Sequence, residues 1–437
     1  MPVFPVDTSE ALALAMDAKD SHHALRGEFL IPDAQSVAAT QGARDLPAAG
    51  PCVYLTGNSL GLQPRRVAGD LTQELEDWAR LGVEGHLHGR DPWLPYHEQF
   101  RAPLARLVGA LPSEVTAMNS LTVNLHLLMA SFYTPTQDRF KIMIEDSAFP
   151  SDSYAVQSQA QFHARACGFN PVHAIVRLTP RQGEHTLRSE DVLAAIDREK
   201  DALALVMLGG VNYLTGQWFD MRAITQAGHA AGARVGWDLA HAAGNVPVQL
   251  HDIGADFAAW CSYKYLNAGP GAIAGAFVHE KHHASHLPQF AGWWGNDPAS
   301  RFKMGPEFNP VRSTDRWALS NPPIFSLTPL KASLALFDRA TMPALREKSL
   351  ALTGYLEQLI KAKAPRVSIR TPSDPASRGC QLSLVVPGSS RALQQTLLTR
   401  GVVCDFREPD ILRAAPVPLY NSFHDVWRFV NELAPLT

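Results

Sequence analysis

The chain has 437 residues, long enough for two domains or for one large domain with a smaller one appended. Hydrophobic residues make up 46% and charged residues 19%, which supplies a buried core and excludes disorder as the dominant state. A net charge of −3 leaves no basic excess for a phosphate backbone or an anionic bilayer, so no nucleic acid and no membrane is expected as a partner.

Asp7-Thr-Ser-Glu10 before an apolar-rich run predicts a capping box that opens a short N-terminal helix. That start lacks the basic head and unbroken apolar run of a signal peptide, so a cytoplasmic protein is expected. A Gly/Pro/Ala stretch over 41–52 sets the first helix apart from the body. Val115 to Gln137 is the longest uncharged stretch, but Asn119, Ser120, Asn124, His126 and Pro135 exclude a membrane span. Inside it, Leu125, Leu128, Met129 and Phe132 fall at helical spacing. Leu203–Leu208 is an apolar run of buried-strand length. Met221, Ile224, Ala227 and Ala231 then predict a helix ended by Gly232. Arg234–Trp237, Asp256–Cys261 and Ala274–Val278 are further strand candidates. Strands alternating with helices predict an α/β layer with a mostly parallel sheet, whose ligands collect at the carboxyl ends of the strands.

Asn321-Pro-Pro323 is a strong breaker. Beyond it, helices over 327–339 and 343–363, strands near 367–371, 381–387 and 401–407, and helices around 391–400 and 424–434 predict a small α+β domain. The expected division is an N-terminal segment, 1–55, packing with the small domain, then a large α/β domain, 56–320, and the small domain, 321–437. The five cysteines are scattered, with no C-x-x-C pair, and read as reduced thiols. His22-His23, His86-x-His88 and His282-His283 lie at no H-E-x-x-H spacing, so they read as surface or supporting groups and no metal is expected. Gly269, Gly271 and Gly275 lack the spacing of a dinucleotide fingerprint.

The chemistry concentrates in two stretches. Asp238 ends one strand candidate, and Lys264 lies in the loop after the next, beside Ser262, Tyr263 and Gly269-Pro-Gly271. This order suits pyridoxal 5'-phosphate. A lysine amine forms the Schiff base with the aldehyde, and a carboxylate facing the pyridine nitrogen keeps the ring protonated. Asn119-Ser-Leu-Thr122 opens a helix and offers N–H groups and hydroxyls to a phosphate. Phe149, before Pro150, offers a face to stack on the ring. Singly, each residue also reads as a cap, a solvated charge or a core aromatic. The ordered set on one α/β frame carries the argument.

These residues lie within a longer pattern that resembles the kynureninase family, fold-type-I pyridoxal-phosphate enzymes of the aspartate aminotransferase superfamily. The matching stretches run from Tyr54–Pro64 to Arg413–His424, through Gly85-His86, Asn119–Asn124, Phe149–Asp152, Asn212–Gln217, Trp237–Asn245, Trp260–Ala268, Gly275–His282 and Ala291–Gly295. The resemblance implies the fold-type-I pyridoxal-phosphate-dependent transferase fold. It also implies that Lys264 holds the cofactor and shuttles protons. Asp238, helped by Asp152, would pair with the ring nitrogen, and Phe149 would stack. Leu121, Thr122 and Tyr263 would hold the phosphate, with His241 in the same shell. Trp293 and Asn321 match positions that reach the site from a second subunit, which implies a homodimer with shared active sites. Arg413 would clamp the substrate carboxylate, with Asn58, Ser59, His86 and Asn321 facing the substrate.

The reaction implied is hydrolysis of L-kynurenine or 3-hydroxy-L-kynurenine to anthranilate or 3-hydroxyanthranilate plus L-alanine, in tryptophan breakdown toward quinolinate and NAD. Tyr263 is the candidate acid. His86 with Asn321 matches the form that favours the 3-hydroxylated substrate. One departure stands out: where the family carries a Ser or Thr, this chain has Gly209. The alternative is another fold-type-I enzyme, a desulfurase or a transaminase. A desulfurase needs a mobile nucleophilic cysteine, whereas Cys380 and Cys404 sit in strand-like apolar contexts. Retention of both Asp238 and Lys264 argues against a non-catalytic relative.

Overall fold

Seven strands form the central sheet of the computed structural model, which describes residues 7–43, 45–386, 388 and 391–437. They are β1 (Val115–Ala117), β2 (Lys141–Glu145), β3 (Ile175–Leu178), β4 (Leu203–Gly209), β5 (Arg234–Asp238), β6 (Phe257–Trp260) and β7 (Gly275–Val278), in the order β1-β7-β6-β5-β4-β2-β3. β7 runs antiparallel to both neighbours, and the remaining pairs are parallel. The sheet is apolar on both faces. Val206, Leu208, Val235 and Trp237 join one core with Met221 and Ile224, while Leu205, Met207, Phe257 and Ala259 join another with Leu125, Leu128 and Phe132. Successive side chains point to opposite faces, so a strand covered on both sides reads as one unbroken apolar run. That explains why β4 is visible in the sequence. β1, β2 and β3 are not among the strand candidates: β1 merges into the uncharged stretch that begins at Val115, and Lys141, Glu145 and Arg177 keep the apolar runs of β2 and β3 short.

The C-terminal layer is a four-stranded antiparallel sheet of β8 (Ser368–Ile369), β9 (Leu382–Val385), β10 (Asp405–Arg407) and β11 (Ile411–Ala414), ordered β8-β9-β11-β10. Position 387, where the sequence extends β9, lies outside the described residues. β11 is absent from the sequence expectation, yet it sets Arg413 across from both Ser383 and Asp405. The N-terminal helix spans Glu10–Lys19 and is capped by Ser9, whose hydroxyl accepts the Leu12 N–H. The cap is therefore Ser9, with Asp7 accepting the Ser9 N–H. Asp17 on this helix accepts the Phe423 and His424 N–H groups, at 2.6 and 3.1 Å, from the first turn of the helix Phe423–Leu433. Val53–Tyr54 pairs in parallel with Val402–Val403.

Of the histidine pairs, His282-His283 takes a supporting place and not a surface one. His282 and His283 are buried, and His282 Nε2 lies 2.7 Å from Asp256 Oδ1. Asp256 is itself fully buried at the start of β6. Its other oxygen meets His229 Nε2 and the Val235 N–H, both at 2.8 Å, and Lys281 Nζ is 3.3 Å from Oδ1. Burial alone would push this carboxyl up. The hydrogen bonds to His229 and His282 and the Lys281 charge outweigh burial and hold it well below the usual carboxylate range. A depressed carboxylate stabilises fully above its unfolded pKa, about pH 4, and the contribution fades as pH falls below it. Asp256→Asn is expected to cost about 3 kcal/mol at pH 7, with the gap to wild type narrowing below about pH 4. Denaturant unfolding across that pH range checks both the size and the sign.

Candidate active site

The carboxyl ends of β2, β4, β5 and β6 converge on a cavity of about 270 Å³. β5 delivers Asp238 as its last residue, and β2 and β4 end on Glu145 and Gly209. β6 leads into Ser262, Tyr263 and Lys264. The helix Leu121–Phe132 points its first turn at the same space. Pro150 opens the helix Pro150–Cys167, which leaves Phe149 at the cap and Asp152 one turn in. Of the residues singled out from the sequence, Leu121, Thr122, Phe149, Asp152, Asp238, His241, Tyr263 and Lys264 all line this cavity.

Lys264 is buried, with its Nζ 3.1 Å from His241 Nε2 and 5.6 Å from the centre of the Phe149 ring. Burial and the Lys264 charge hold His241 well below its ordinary pKa, so the imidazole is neutral beside the amine. Asp238 Oδ1 accepts the Ala240 N–H at 2.7 Å. Asp152 Oδ1 is buried with no hydrogen-bond donor in reach. Burial and the neighbouring Asp238 push the Asp152 carboxyl well above its usual value. Burial likewise raises Glu145 to about 7, against the pull of the Gly209 N–H, which donates to Oε1 at 3.0 Å. Burial also pushes the Tyr263 phenol up, so it keeps its proton. Thr122 Oγ1 and Ser151 Oγ lie 2.7 Å apart at two helix starts that face each other.

This arrangement fits a flat, protonated heterocycle carrying a phosphate. The orphaned Asp152 oxygen calls for an N–H donor, and three carboxyls face a single amine. Hydroxyls and helical N–H groups at the other end suit a dianion. Glu145, which sequence reasoning missed, carried a signal: it ends an apolar run, as Asp238 does.

Other predicted residues stand further out. Asn58 is buried and donates to Gln381 Oε1 at 2.8 Å, while Ser59 is half-buried in the turn after it. Gln381 Nε2 and Arg413 Nη1 both donate to the carbonyl of Tyr213, at 3.1 and 2.8 Å, and Tyr213 lines the cavity with its ring 5.2 Å from Phe149. The second arm of Arg413 pairs with Asp405, which also takes Arg407 Nη1 at 2.7 Å. His86, Trp293 and Asn321 come together elsewhere. They line a separate, largely apolar cavity of about 580 Å³ with Trp93, Trp294 and Phe302, and none of the three lines the Lys264 cavity. Cys380 and Cys404 are fully buried, and burial pushes both thiols up, Cys380 to about 12. Neither is the mobile thiolate a desulfurase requires.

Solved structures share this architecture. A cysteine desulfurase from Escherichia coli superposes with a TM-score of 0.72 at 18% identity, over 94% of this chain and 97% of that one. The apo cysteine desulfurase of Thermococcus onnurineus NA1 gives 0.71 at 17%, over 88% and 94%. At such identities the likeness shows the fold, the fold-type-I α/β architecture expected from the sequence. Residues 345–433 match the family described as Kynureninase C-terminal domain. Kynureninase of Myxococcus xanthus is 56% identical over 430 residues, 98% of this chain and 97% of that protein. Kynureninase of Koribacter versatilis is 54% identical over 428 residues, 98% and 97% of the two chains. The chain belongs to the kynureninase family.

Proposed function

We propose that this chain is a pyridoxal-phosphate-dependent hydrolase that cleaves L-kynurenine or 3-hydroxy-L-kynurenine to anthranilate or 3-hydroxyanthranilate plus L-alanine. The observation that carries the reading is Lys264 Nζ set 3.1 Å from a neutral histidine, in a cavity whose acids include an unpartnered Asp152 oxygen. When bound, the cofactor supplies an aldehyde for amines and a protonated ring that accepts electrons.

The side chains divide the remaining work. The N–H groups at Leu121 and Thr122, with the hydroxyls of Thr122, Ser151 and Tyr263, would hold the phosphate of the bound cofactor. Phe149 would stack on its ring, and Asp238, supported by Asp152, would pair with the ring nitrogen. Glu145 fills the part left by the missing hydroxyl at Gly209, since its carboxyl lies against that position. The Lys264 amine takes the proton from the substrate α-carbon. His241, being neutral, accepts from that amine without repelling it. Water adds to the substrate γ-carbonyl, the Cβ–Cγ bond breaks so that the γ-carbon leaves as the aromatic carboxylate, and Tyr263, which has kept its proton, donates it to the β-carbon that becomes the alanine methyl. Arg413 receives the substrate carboxylate, exchanging one of its in-chain partners, the Asp405 carboxylate, for the substrate's own.

His86, Trp293 and Asn321 serve the site of a second copy in a homodimer. Their separation from Lys264 within one chain supports this, as does their setting: Trp293, Val83 and Phe302 around them are 44%, 76% and 57% exposed. His86 and Asn321 then meet the aryl end of the substrate and favour the 3-hydroxylated form. The free cysteines, four of the five buried, support a reducing, cytoplasmic setting, and the reaction would serve tryptophan breakdown toward NAD.

Lys264→Ala is expected to lower turnover of either kynurenine at least ~10³-fold with the fold intact by circular dichroism. Release of aromatic amine that continues unchanged in this variant, or that requires a keto-acid acceptor in the wild type, would overturn the assignment. Arg413→Lys should raise KM roughly 30-fold with a smaller change in kcat, because the ammonium cannot replace the guanidinium fork. Steady-state kinetics on both substrates separate the two effects. Mixing inactive Lys264→Ala with inactive Trp293→Ala, unfolding and refolding together, should restore roughly a quarter of wild-type activity, since half the dimers then carry one intact site. No recovery would mean that each chain completes its own site.

A further inference from the structure

We propose that Glu114, His251 and His279 form a divalent-metal site, best suited to zinc, at the end of the central sheet opposite Lys264. Glu114 directly precedes β1, His251 lies in the short helix Leu250–Ile253 that leads to β6, and His279 directly follows the antiparallel β7. All three therefore sit at the amino-terminal edge of the parallel strands, away from the cavity at the carboxyl ends. No sequence spacing links them, because the fold gathers them from three segments.

The geometry is that of a ligand set. Glu114 Oε1 is 3.0 Å from His251 Nδ1 and 3.4 Å from His279 Nδ1, and the three ligating atoms lie within 4.8 Å of one another. Zinc bonds of about 2.0–2.1 Å in a tetrahedral shell set neighbouring ligand atoms about 3.3 Å apart, so a few tenths of an ångström of adjustment suffice. The two imidazoles stack with centroids 4.9 Å apart and planes at 22°. The Glu114 carboxylate is fully buried and already oriented: Oε2 accepts the Leu111 N–H at 2.9 Å and Oε1 the Glu280 N–H at 2.8 Å. Such outer bonds are what fix a metal-binding carboxylate.

Without a metal, His279 Nδ1 accepts the Lys281 N–H at a long 3.2 Å, and His251 Nδ1 lies 3.0 and 3.1 Å from the two Glu114 oxygens. A metal would take the single His279 lone pair from the Lys281 N–H and would replace the proton between His251 and Glu114. The charges around the site do not oppose a metal. Lys281 turns its ammonium to the Gly254 carbonyl and Asp256, and the nearby Glu280 and Asp252 are acidic. His251 is about one-third exposed, which leaves an entry path and room for a water as fourth ligand. The metal would tie the strap before β1, the helix before β6 and the end of β7 to one another. The role is structural and independent of the Lys264 chemistry.

The test uses the holoenzyme, stripped with a chelator and dialysed. Zinc is titrated in competition with a chromophoric chelator, and bound metal is counted by atomic emission. The expected result is one zinc per chain, with a raised unfolding temperature. Binding should weaken at least ~10-fold in His251→Gln and in His279→Gln, while turnover of these variants without zinc stays at the wild-type level. The histidine variants are chosen because loss of the buried Glu114 threatens the fold. Absence of stoichiometric zinc, or zinc binding that is unchanged in both variants, would overturn the proposal and leave the cluster as a proton-bridged hub.

Discussion

An amine buried in an apolar α/β frame keeps a useful charge only if acids are buried with it, and the acids repel each other unless protons or cations are shared among them. That constraint organises the Lys264 cavity. Asp238, Asp152 and Glu145 supply three carboxyls, and a neutral His241 solvates the amine without adding charge. Two of the acids are pushed upward by burial and by their neighbours, so the group holds protons that a fully exposed set would lose. The parallel sheet makes this possible, because it ends several strands side by side and turns each into a loop at one edge. β2, β4 and β5 each contribute their last residue to that edge.

The same economy of placement appears further out. Arg413 is fully buried on β11, where the register sets it across from Asp405. A buried guanidinium without an anion would be costly, so an internal carboxylate keeps it company. The pair also links the C-terminal layer to the cavity, since Arg413 and Gln381 both hold the Tyr213 carbonyl. Asn58 joins through Gln381, which ties the segment after Val53–Tyr54 to the same network. The site is thus assembled on one sheet and braced from another.

What could be read from the sequence follows from how each residue earns its place. Asp238 and Lys264 were legible because one ends a doubly covered apolar strand and the other lies in the loop just after the next, where a charge is conspicuous. Phe149 and Thr122 were legible because a helix start leaves a recognisable local pattern. Asp405 was not, because its partner Arg413 is set by pairing between two short strands, one of them unrecognised. His86, Trp293 and Asn321 could be listed from the family resemblance, but only three-dimensional packing shows that they form their own cavity. The sequence left His282 open between a surface and a supporting role, because the partner that decides it, Asp256, lies on another element.

Gly209 shows how a departure from a family pattern is resolved in space. A Cβ added there would stand 3.1 Å from Glu145 Oε1, tighter than ordinary packing, so the carboxyl would have to shift by a few tenths of an ångström. The glycine and the inward-lying acid therefore belong together. With no side chain at 209, the backbone N–H is open to Glu145, and that hydrogen bond holds the carboxyl at the cavity wall. Burial raises Glu145 to about 7, so its protonated form is accessible at neutral pH and offers both a donor and an acceptor, the two capacities of a hydroxyl. A serine or threonine at 209 would compete with Glu145 for the same volume, which makes the pair of positions, and not either residue alone, the unit that varies.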